Sequence, residues 1–160
     1  MAFRMRPEAD DWFRGVVSAD GPVRTKFDQY YLCLMLGLAT GRNERPQNAA
    51  DFVDYFVADY AAVGRLLVAL LIIAEAERLG VELGDKGDVK KLLDDYLDPQ
   101  HPTNLTEKGF QKLNDYANGG FNVLAEAMPE RPRHVEPFLQ AYAVTMTAKM
   151  NDSKCWATHA

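Results

Sequence analysis

Apolar positions thicken along this chain into one run of nine, residues 66–74, with no polar side chain among them. A helix apolar on every side needs cover on every side. The run is well short of the roughly 20 apolar residues that a membrane span requires. Arg65 precedes it, and Glu75, Glu77 and Arg78 follow. The pattern predicts that residues 60–79 form the buried central helix of a helical domain, closed by Gly80 in a left-handed cap.

Helical spacing recurs on both sides of that segment. Over residues 26–40, Phe27, Tyr30, Tyr31, Leu34 and Leu38 fall three and four apart, with Cys33, Met35 and Leu36 thickening the stripe. Gly37 within it costs about 1 kcal/mol against Ala, a cost that close approach of a neighbouring helix would offset. Gly41 stops the helix. Residues 49–60 read as a further helix, with Phe52, Val53, Phe56 and Val57 on one face. Residues 88–97 form a short amphipathic helix, capped by Asp88 and ended by Pro99 and Pro102.

Thr106 opens another helix, with Phe110, Leu113 and Tyr116 facing inward. Asn118-Gly119-Gly120 reads as its break or kink, after which residues 121–128 resume helically. The last clear helix covers residues 135–150, with Phe138, Leu139, Tyr142, Met146 and Met150 toward the core. No stretch alternates with period two and β-branched content. The expected fold is therefore all-α. It is a single domain of six or seven helices bundled around residues 60–79. Residues 1–24 form a loosely packed arm that packs through its aromatics, and residues 151–160 a loose tail.

Composition adds limits. The chain has 160 residues, 48% apolar and 26% charged, which suits a globular domain with a real core. Its net charge of −5 is uneven: residues 51–100 carry eleven acidic side chains against five basic. Such a chain lacks the broad basic footprint of a general nucleic-acid binder. Cys33 and Cys155 are the two cysteines, and Asp10 and Asp11 stand where a signal region would be apolar. Free thiols in a reducing cytoplasm are the expectation.

No constellation for catalysis emerges, and the chain reads as a non-enzyme. Cys155 and His159 are four apart but lack the further ligands a metal site needs. Cys33 reads as an inert core thiol. The pairs Asp10–Asp11 and Asp94–Asp95 are adjacent, so on a helix they diverge and form no dyad. The loops GRNERP and LGDKGD lack a phosphate-loop pattern. No metal or cofactor is expected. Two basic groups remain as candidate phosphate contacts: Arg42 with Arg45, and Arg131 with Arg133, the latter just before a helix N-terminus.

Aromatic residues make up 11% of the chain, and such residues also anchor partner surfaces. Trp12, Tyr55 and Trp156 are the candidate partner-binding residues. The segments KFDQYYLCLMLGLATGR and LNDYANGGFNVLAEAMPERP resemble small helical accessory proteins of prokaryotic anti-phage defence operons, including those accompanying DNA phosphorothioation systems. The resemblance implies a bacterial cytoplasmic protein working inside a larger complex. The leading expectation is a non-catalytic helical subunit or adaptor that bridges larger protein subunits. The alternatives are a nucleic-acid-binding module using the Arg patches, and a small-molecule-sensing regulatory domain acting at Gly119-Gly120. No membrane partner is expected.

Overall fold

The computed structural model describes residues 1–157, with side chains as far as Asp152. Six helices dominate it: α1 (Pro7–Phe13), α2 (Lys26–Thr40), α3 (Gly64–Leu79), α4 (Lys86–Tyr96), α5 (Glu107–Ala127) and α6 (Val135–Ala157). Two short strands, β1 (Phe3–Met5) and β2 (Ala50–Val53), pair antiparallel, and a 3-10 turn spans Ala58–Tyr60. The mostly all-α class is as the sequence predicts.

The centre of the fold lies elsewhere than expected. It is the pair α2–α5, not residues 60–79. Helix α5 buries twelve of its residues, including Phe110, Leu113, Tyr116, Phe121 and Leu124, and runs unbroken through Asn118-Gly119-Gly120. The glycines are contact points rather than a hinge. A Cβ on Gly120 would sit 1.7 Å from the Cys33 carbonyl oxygen, and one on Gly37 would sit 1.9 Å from that of Tyr116. The two backbones touch, and only hydrogen side chains at these positions let them. The expected regulatory break at Gly119-Gly120 is thus absent, because the same residues that punctuate a sequence also permit close helix packing.

Local signals set the helix ends. Thr25 and Asp28 form a reciprocal capping box at the start of α2. Thr106 accepts from the Gly109 N–H and starts α5. Asp85, rather than Asp88, caps α4, bonding the N–H groups of Gly87 and Asp88. Gly41 and Gly80 end α2 and α3 with φ of 71° and 67°.

The N-terminal segment is core rather than a loose arm. Phe3, Met5, Trp12, Phe13, Val16 and Val23 are all buried. The Phe3 ring lies 5.0–5.3 Å from those of Phe27, Tyr30, Phe56 and Phe110. Asn114 of α5 fixes the strand by accepting from the Arg4 N–H and donating to the Ala2 carbonyl. That strand recruits residues 50–53 as its partner, so the helix expected over residues 49–60 is replaced by β2 and the 3-10 turn. The spacing of Phe52, Val53, Phe56 and Val57 fits a helical face, yet these half-buried residues pack on the core from a strand and a turn.

Candidate functional site

Helix α3 is fixed by one buried carboxylate. Glu75 has no exposed surface. Its oxygens accept hydrogen bonds from Tyr96 (2.6 Å) and Tyr116 (2.8 Å), and from the Arg78 guanidinium (2.7 and 2.8 Å). Burial pushes this carboxyl up, but the bonds from Arg78, Tyr96 and Tyr116 outweigh burial and hold it at about 2. Burial and the bond to Glu75 push Tyr96 up to about 12, and Tyr116 rises for the same reasons. Glu75 therefore stays a charged acceptor and both phenols stay donors.

This anchor sets the rotation of α3. Leu67, Val68, Leu71 and Ala76 turn inward with Glu75. The nine-residue apolar run then supplies more hydrophobic surface than the fold covers. Leu66, Ala69, Leu70 and Ile73 stand at i, i+3, i+4 and i+7 on the outer face. Leu66 is 57% exposed and Ile73 48%; Ala69 is exposed and Leu70 half-buried. Glu77 continues the line at its C-terminal end, and Arg65 flanks its N-terminal end. Both are exposed, and neither forms an ion pair among the described residues. Helix α3 is thus a half-covered helix at the edge of the fold, not a buried central one.

The basic candidates fall into two separate places. Arg42 is bound to Glu44 at 2.5 Å and to Glu126 at 2.6 and 2.8 Å, so two carboxylates surround its charge. Arg45 is exposed beside a cleft of about 390 Å³ that is also lined by Arg4, Pro46, Phe110, Asn114 and Asp115. Asp115 is buried there. Its Oδ1 accepts no hydrogen bond, and Lys112 Nζ stands 3.8 Å from Oδ2. Burial raises its pKa against the opposing pull of Lys112 and Arg45. Arg131 and Arg133 are exposed in the α5–α6 loop, which Gly15 receives in close contact. Asp11 and Glu130 share the shallow depression they line, so neither place presents a purely basic surface.

The aromatic candidates divide as well. Trp12 is 6% exposed and meets Phe13, Phe121 and Phe138 edge to face, so it is a core residue rather than a partner anchor. Tyr55 is 57% exposed, in the bend before the 3-10 turn. The side chain of Trp156 lies outside the described residues, as do those of Cys155 and His159. Among the described residues, no three His, Cys, Asp or Glu side chains are grouped to hold a metal ion, and no helix is long and apolar enough to cross a membrane.

Sequence reasoning missed Leu66, Ile73, Arg65 and Glu77 as site residues. The signal was present in the apolar run itself. A surface helix needs one apolar stripe, and this helix has apolar residues for two. Glu75 was missed as a buried anchor because it sits beside Glu77 and Arg78, in what reads as a solvated end.

The chain matches no protein-family model, no curated protein and no solved structure.

Proposed function

We propose that this protein is a non-catalytic helical subunit of a larger protein assembly, and that the outer face of α3 is its docking surface. The observation that carries this reading is the continuous line Leu66, Ala69, Leu70 and Ile73, left open on a helix whose rotation the buried Glu75 has fixed. Single exposed aliphatic residues are ordinary, but a contiguous exposed line marks a surface that something covers. Covering the open half of Leu66 or of Ile73 is worth roughly 1 kcal/mol each, about half the value for burying a whole aliphatic side chain. Helix-on-helix docking of this kind reads partners through anchors at i, i+3, i+4 and i+7. The setting we propose is the one the resemblance implies, a bacterial cytoplasmic complex in anti-phage defence.

The test is affinity purification of the tagged chain from its native cell, compared with the Ile73→Glu variant. The wild-type chain is expected to bring down a protein partner at fixed stoichiometry. The variant is expected to lose it while keeping its helical circular dichroism and melting temperature. Equal recovery of the partner by both chains would remove α3 from the interface. A nucleic acid recovered in place of a protein would favour the Arg-patch alternative.

A further inference from the structure

We infer that the occupant of the α3 face is a second copy of this chain, laid antiparallel across it about a two-fold axis near Leu70 and Leu71. The inference rests on the docking reading above and names the partner for the same surface. The argument is charge complementarity at the two ends of the open line. Arg65 and Glu77 are twelve positions apart, about 18 Å along a helix, with Leu71 midway between them. Each is exposed and lacks an ion-pair partner among the described residues.

In an antiparallel pair, Arg65 of each copy lies beside Glu77 of the other, and both charges are matched twice. A parallel pair would set Glu77 against Glu77 and Arg65 against Arg65. In a two-fold interface residue i meets j while j meets i, and this line is self-complementary in that sense. Its apolar centre is self-complementary too. Ile73 of one copy falls against Ala69 of the other, a large residue into the space left by a small one. Antiparallel helices also oppose their end charges favourably. A seam of one helix per copy covers less than the roughly 800 Å² per partner of a standard interface. The expected dimer is accordingly a micromolar one, in exchange with monomer.

Sedimentation equilibrium of the purified full chain from about 5 to 500 µM tests the inference, a range chosen to bracket a micromolar association. The wild-type chain is expected to move from monomer to dimer across it. Arg65→Glu and Glu77→Arg should each weaken the dimer at least about tenfold by placing like charges together. The double variant, carrying both in one chain, should restore it. Ile73→Glu should abolish it. All three sites are exposed on α3, and circular dichroism checks that each of the four variants is folded. A wild-type chain that stays monomeric throughout overturns the inference, as does a dimer indifferent to Ile73→Glu or one that the double variant fails to restore. A wild-type chain that stays monomeric, yet loses a different protein partner on Ile73→Glu, overturns the self-pairing alone and leaves the docking reading standing.

Discussion

Tyr116 on α5 donates its hydroxyl to Glu75 on α3 at 2.8 Å, with both groups buried. This bond, with those from Tyr96 and Arg78, ties three helices to one carboxylate. Removing a donor from a charged buried acceptor costs about 1.5–3 kcal/mol, so Tyr116→Phe should lower stability by that amount in a urea titration. Glu75 sits at about 2 in the fold, below its ordinary carboxylate value of 4.5. A depressed carboxyl contributes stability that is complete above its unfolded value and disappears as pH falls toward the folded one. The wild-type chain should therefore lose stability between pH 4.5 and about 2, the two values for Glu75. Glu75→Gln should be less stable at pH 7 but flatter across that acid range.

Gly120 has a simple test. An Ala in mid-helix is favoured over Gly by about 1 kcal/mol. Here its Cβ would lie 1.7 Å from the Cys33 carbonyl, which belongs to the backbone of a packed helix and cannot rotate aside. Steric cost wins, and Gly120→Ala should destabilise by about 3 kcal/mol or more, read as a drop in the thermal midpoint.

Asp115 predicts a gain. Its carboxylate is buried, one oxygen accepts no hydrogen bond, and burial raises its pKa. A raised carboxyl opposes folding once pH exceeds its unfolded value, because the unfolded chain releases the proton more readily. Asp115→Asn should therefore raise the melting temperature at pH 7, equivalent to about 1 kcal/mol. The gain should vanish in acid, where the wild-type carboxyl is neutral in both states.

Trp12 and Tyr55 separate packing from surface. Trp12→Ala removes a ring that touches Phe13, Phe121 and Phe138, and should cost about 3–5 kcal/mol. Tyr55→Ala changes an exposed side chain and should stay within about 0.5 kcal/mol of wild type. Guanidinium denaturation of the two variants measures both.

Much of this fold is legible in the sequence where the signal is local. The stripe in α2, the stop at Gly41, the cap at Thr106 and the end of α3 at Gly80 all follow from short-range chemistry. What escapes depends on distant partners. Phe3-Arg4-Met5 is too short to show alternation, and it becomes a strand only because residues 50–53 and Asn114 meet it. Gly119-Gly120 reads as a break until the backbones of α2 and of the loop after it are seen lying against it. The candidate site follows the same logic. An apolar run states how much surface a helix offers, and only the rotation fixed by Glu75 decides which half is left open.

Phe3 has its nearest aromatic neighbour in sequence at Phe27 and its farthest at Phe110, while Arg4 meets Asn114 across 110 residues. Synthesis runs from N- to C-terminus, so Phe3 and Arg4 exist long before their α5 partners do. The strand can pair with residues 50–53 once they follow, but its α5 face must wait, apolar and uncovered, until Phe110 and Asn114 are made. Its closure onto α5 shuts one of the long loops of the molecule, with the entropic cost that such loops carry. Substitutions at Phe3 and at Asn114 should then speed unfolding together and leave the folding rate little changed, as two ends of one late join.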